Sequence, residues 1–138
     1  MRPATIMLPP GDMEAIGIIE FVHGMCEHRN RYNHVLKYFS DKGFICAIAD
    51  IKGHGENILT PDDCYKGLIQ DIDDYTTFLK REYPNLPLIL IGHSMGSLLV
   101  RGYIKKNSEK IDALVVCGSP SENSFTELGK ILIRVMEV

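Results

Sequence analysis

Apolar positions along this chain follow two rhythms. Four short, nearly continuous runs stand out: Ala15 to Val22, Phe44 to Ala49, Leu86 to Ile91 and Ile111 to Cys117. They close on His23-Gly24, Asp50, Gly92 and Gly118 in turn. Runs of this length, rich in β-branched residues, predict strands buried on both faces of a parallel sheet. Between them the spacing becomes helical. Tyr32, Val35, Leu36 and Phe39 line one face, with Gly43 as a stop. A longer face carries Leu68, Ile69, Ile72, Tyr75, Phe78 and Leu79, starting after Thr60-Pro61 and closing at Pro84. A third helix follows Ser94 directly, from Met95 to Lys106. The predicted order β-α-β-α-β-α-β is an α/β domain: a mostly parallel sheet with flanking helices, in three α/β/α layers. Thr5 to Leu8 predicts a further short strand. Glu20, an acid inside the first run, has no explanation in the pattern.

The far end carries its own signal. Ser124 and Glu127 make a capping box, and Phe125, Leu128, Ile131, Leu132, Val135 and Met136 form an amphipathic stripe. Composition then narrows the partners. The 138 residues predict a single domain. Fifteen basic against eighteen acidic residues, a net charge of −3, argue against nucleic acid as a partner, because phosphate contact needs clustered Lys and Arg. No stretch approaches the ~18 apolar residues of a transmembrane segment. Met1 to Gly11 lacks the apolar core of a secretory signal. Cys26, Cys46, Cys64 and Cys117 have no CxxC spacing and read as reduced thiols of a cytoplasmic protein.

The strongest chemical signal is Gly92-His93-Ser94-Met95-Gly96, a match to G-x-S-x-G. That motif needs an apolar strand before it and a helix after it, and this sequence supplies both. Small residues on either side let strand and helix approach closely, so the Ser94 hydroxyl stands exposed at a sharp turn. The alternative is a glycine-rich turn with a bystander serine. A second signal, His23-Gly24-Met25-Cys26-Glu27-His28, follows the first long strand. An HG turn here can supply a backbone donor: the amides of Met25 and Met95 are candidates for an oxyanion hole. His23, Gly24, Glu27 and His28, with Gly92, His93 and Gly96, would support the two loops. His23, Cys26 and His28 also raise a metal site, but no further ligand pair has zinc-finger spacing, so none is expected. Asp50-Ile51-Lys52-Gly53-His54-Gly55 fails as a dinucleotide loop, because the third glycine would fall at Ile58. Asp50 and His54 read as parts of a tight turn. If the second and third long strands flank the first, the HG turn and the Ser94 turn border the crevice where such sheets bind ligands.

Together these blocks resemble the α/β-hydrolase superfamily, and within it the monoacylglycerol lipase/lysophospholipase-like branch, also called serine aminopeptidase S33. Val22 to Tyr32 (VHGMCEHRNRY) is similar to that branch's HGxxEHxxRY signature. Asp50 to Asn57 (DIKGHGEN) is similar to its D-x-R-G-H-G-x-S block, with Lys52 and Asn57 replacing Arg and Ser. The resemblance covers roughly residues 7–120. It implies a partial α/β-hydrolase fold, with 1–120 as the N-terminal part of the core and 121–138 as the start of a helical cap. It implies Ser94 as nucleophile, a small-molecule acyl ester as substrate, and no cofactor. It places the first antiparallel strand, most of the cap, the last strands, and the acid and base outside these residues.

No histidine follows Ser94; His23, His28, His34, His54 and His93 all precede the Ser94 hydroxyl in the chain, and Asp112 is the only later Asp. A serine without a base is a poor nucleophile. Two readings follow. The chain carries half of an ester hydrolase, inactive until the C-terminal half, in the parent chain or as a C-terminal complementing chain, supplies the acid and base. Alternatively it is a non-catalytic module that binds an acyl ligand or a partner through its last helix. Acyl transfer and peptide hydrolysis are variants of the first. An uncovered sheet edge would favour self-association in either.

Overall fold

The computed structural model describes residues 3–57 and 65–121. Five strands and three helices alternate along it: β1 (Ala4–Met7), β2 (Gly17–Val22), α1 (Asn33–Ser40), β3 (Phe44–Ala49), α2 (Tyr65–Glu82), β4 (Leu88–His93), α3 (Met95–Asn107) and β5 (Ala113–Cys117). A short 3-10 turn over Arg29–Tyr32 leads into α1. The strands form one sheet in the order β1-β3-β2-β4-β5. β2 pairs in parallel with β3 on one side and β4 on the other, and β5 extends the parallel set. The winding therefore reverses at β2, as the crevice argument requires.

β1 runs antiparallel to β3, pairing Ala4 with Ala49 and Met7 with Cys46. This corrects the expectation that the antiparallel strand lies outside these residues. Its alternating exposure fits an edge position, where one face meets solvent. The element limits move by a residue or two from the sequence reading. β2 opens at Gly17, whose added Cβ would press against Phe44 and the Pro87 carbonyl at 3.3 Å. β4 starts after Pro87, which has no N–H to give a ladder, and runs on through His93. The start expected for α2 near Thr60-Pro61 falls outside the described residues, as does nearly all of the expected cap segment 121–138.

Strand alternation divides the core between two helical layers. On one face Ile18, Val22, Ala47, Leu88 and Leu90 pack against Ile72, Leu79, Leu99 and Tyr103 of α2 and α3. On the other, Ile19, Phe21, Cys46 and Ile48 pack against Leu36 of α1. Three α/β/α layers result. Glu20 now has its explanation: it points into the α2 face, 1% exposed, and accepts a hydrogen bond from Thr76 Oγ1 at 2.7 Å. No described helix is long and apolar enough to cross a membrane.

Candidate active site

The strand-to-helix junction after β4 has the strain its motif demands. Ser94 sits at φ 51°, ψ −118°, a region that non-glycine residues rarely occupy. Its N–H donates to the Cys117 carbonyl of β5 at 2.9 Å, and its own carbonyl accepts from Ser97 N–H and Ser97 Oγ at 3.0 and 2.5 Å. The glycines are obligatory by volume. A Cβ on Gly92 would lie 2.6 Å from both the Gly96 carbonyl oxygen and Val100 Cγ2. One on Gly96 would collide with the Val22 carbonyl and come within 2.6 Å of that of His23. The end of β2 and the start of α3 are thus in backbone contact. Met95 is the first residue of α3, where amide donors have no partner within the helix.

The loop after β2 faces this turn. A Cβ on Gly24 would stand 3.1 Å from Ser94 Cβ. Met25 is exposed at the loop tip, and Cys26 follows with φ 58°. Glu27 holds the loop: its Oε2 accepts from Gly24 N–H at 2.9 Å, Tyr32 OH at 2.9 Å and His93 Nδ1 at 3.4 Å. Partial burial would raise the Glu27 carboxyl, but these donors outweigh it and hold it below the ordinary value. Burial, with Glu27 beside it, drives Tyr32 far above the ordinary phenol range, so Tyr32 stays protonated and donates. His93 thereby joins the Ser94 turn to the HG loop. His28 contributes differently from the expectation: its carbonyl accepts from Arg31 N–H, and its side chain makes no capping bond.

His23 is spoken for. It is fully buried; Nδ1–H donates to the Gly24 carbonyl at 2.8 Å, and Nε2 accepts from Ile51 N–H at 3.0 Å. Desolvation lowers its pKa, so the neutral ring is the stable form. With both nitrogens bonded to backbone it is not a base for Ser94. Asp50, also fully buried, accepts from the N–H groups of Arg29 and Glu56 at 2.8 and 3.1 Å and pairs with the Arg29 guanidinium. Burial opposes its charge, yet these donors keep the carboxyl below its ordinary value. Asp50 therefore ties the loop after β3 to the loop after β2. Asp112 lies at the opposite end of the sheet, its carboxylate accepting from Leu88 N–H at 2.7 Å. Among the described residues no three His, Cys, Asp or Glu side chains converge as metal ligands.

Sequence reasoning brought Ser94, Gly92, Gly96, Met95, Gly24 and Met25 to one place. It missed Arg29, Tyr32 and the Cys117 carbonyl, because their roles depend on contacts between loops rather than on spacing within one. A family model described as serine aminopeptidase, S33, matches residues 13–137. The chain belongs to the serine aminopeptidase S33 family. Within the α/β-hydrolases, it is similar to a monoacylglycerol lipase of Mycolicibacterium smegmatis, 29% identical over 130 residues, which span 92% of this chain and 46% of that protein. Among solved structures, a carboxyl esterase of Bacillus coagulans superposes with a TM-score of 0.80 at 29% identity, covering 97% of this chain and 45% of the esterase. A lipase in its open form gives 0.83 at 26% identity, with 98% and 46% covered. The S33 chain described here spans about half the length of these relatives.

Proposed function

We propose that this S33 chain carries the nucleophile and oxyanion hole of a serine hydrolase acting on carboxylic esters, of the monoacylglycerol or lysophospholipid type. The observation that carries this reading is the strained Ser94 backbone, set between Gly92 and Gly96 and packed against the HG loop. In this mechanism Ser94 Oγ attacks the ester carbonyl carbon, and the Met25 and Met95 N–H groups receive the developing oxyanion. The alcohol leaves with a proton, and water then releases the acid from the acyl-serine. The lipase and esterase relatives support an acyl ester as substrate.

The same reading makes these 138 residues insufficient for turnover. No histidine follows Ser94, and His23 is bonded through both nitrogens. Loss of the base from such a site lowers turnover on the order of 10⁶-fold. The base and acid would come from a further segment, in the same chain or a complementing one. A fluorophosphonate probe tests the assignment, with imidazole added as a surrogate base. Labelling is expected to be slow alone, faster with imidazole and absent in Ser94→Ala. Labelling that persists in Ser94→Ala would sink Ser94 as nucleophile. No labelling of folded protein in either condition would favour the binding module, whose motivation is the absent base.

A further inference from the structure

His23 cannot serve Ser94 as a base, but it fixes where one backbone amide points. Its Nε2 lies 3.0 Å from Ile51 N–H, which can only donate, so Nε2 accepts. The neutral ring then carries its one proton on Nδ1, which donates to the Gly24 carbonyl at 2.8 Å. The loop after β3 thus dictates the tautomer that holds the loop after β2.

The Gly24 carbonyl and the Met25 N–H belong to one planar peptide unit. The unit is trans, so the two groups point in opposite directions. In the sheet β2 lies between β3 and β4. The His23 ring reaches the β3 side, where Ile51 follows the strand, and Ser94 follows β4 on the other side. A Gly24 carbonyl held on the ring therefore turns Met25 N–H toward the Ser94 side. That N–H has no hydrogen-bond partner among the described residues. Gly24 is pinned at its other end too: its N–H donates to Glu27 Oε2 at 2.9 Å. A Cβ on Gly24 would stand 3.1 Å from Ser94 Cβ, so this peptide unit begins against the nucleophile turn.

We infer that His23, as the Nδ1–H tautomer, is the positioning residue of the oxyanion hole: it orients the Gly24–Met25 peptide so that Met25 N–H meets the oxyanion formed at Ser94. The inference rests on the reading of Ser94 as nucleophile and adds the residue that aims one of its two donors. His23 acts through the peptide, touches no reacting atom and keeps its proton throughout. Its bond to Gly24 exists before substrate arrives, so the donor needs no reorganisation in the transition state.

Two amide side chains separate this role from general support of the loops. Asn places an N–H donor where Nδ1 stands and leaves Ile51 N–H unpaired. Gln reaches the Nε2 position, accepts from Ile51 N–H and leaves the Gly24 carbonyl free. The readout is Ser94 labelling by a fluorophosphonate probe with imidazole as surrogate base. His23→Gln should slow labelling about 10²-fold, the scale of one lost oxyanion donor, and His23→Asn should restore most of the rate. Equal losses in the two variants, or a greater loss in His23→Asn, would overturn the inference. The unmutated protein supplies a test that needs no variant to fold. Nitrogen NMR shifts of the His23 ring at neutral pH should show Nδ1 protonated and Nε2 bare, and the Met25 amide proton should move downfield when Ser94 is phosphonylated. An Nε2–H tautomer, or a Met25 amide that does not move, would overturn the inference while leaving Ser94 as nucleophile. No labelling of Ser94 in the unmutated protein would remove the nucleophile itself, and with it the oxyanion that this amide would meet.

Discussion

His23 shows how one residue converts local geometry into a property of the protein. It is buried as a neutral ring that donates at one nitrogen and accepts at the other, so protonation would oppose the bond from Ile51 N–H. Desolvation puts its folded pKa below the ordinary 6.5. As pH falls past that value the unfolded chain binds the proton first, and stability is lost with it. Asp50 and Glu27 act in a lower window. Their folded values lie below the ordinary 3.8 and 4.5, so their contribution is complete above those values and is lost as pH falls through the folded ones. Urea midpoints measured at pH 7.5, 6 and 5 should therefore decline for the unmutated protein. His23→Gln should be less stable throughout but flatter across this range. Parallel declines for the two proteins would remove His23 as the source.

At the scale of elements, Glu20 marks the boundary of what the sequence discloses. β2 and β3 were legible because burial on both faces leaves no room for polar alternation, and α1, α2 and α3 because each shows one apolar face; β5 has the same apolar run but is mostly exposed, against the expectation of burial on both faces. Glu20 contradicts its own run, and its reason lies 56 residues away, in the α2 hydroxyl of Thr76. The loops behave likewise. G-x-S-x-G was readable because its requirements are local, whereas Asp50 bridging to Arg29 and Tyr32 reaching Glu27 depend on how β2 and β3 end together. Removing the α2 donor tests how much the β2–α2 contact relies on this bond. Thr76→Val keeps the shape and deletes the hydroxyl, so it should lower stability by about 1–3 kcal/mol, and Thr76→Ser should restore most of it. An unchanged urea midpoint in Thr76→Val would mean that other contacts of Glu20 suffice.

At the scale of the whole molecule, the sheet of the described residues ends on β1 at one side and on β5 at the other. β1 caps β3 with a short antiparallel edge, while β5, among the described residues, has a strand neighbour only in β4. Its side chains are exposed along most of its length, Val115 and Val116 at 44% and 45%. An apolar parallel strand at the end of a sheet is a template for another strand. The relatives of this S33 chain are about twice as long, which leaves chain enough to continue such a sheet. Supplied as these 138 residues alone, the protein should therefore associate with itself, its sedimentation-average mass rising with concentration. Val116→Lys places a charge on the open strand, and a charged edge resists pairing because the ammonium would have to lose water against a neighbouring strand. The variant should shift toward monomer while leaving Ser94 and its loops as they are. A monodisperse monomer at high concentration for the unmutated chain would count against pairing through β5, and would mean that this edge is covered or that its valines do not suffice to bring two copies together.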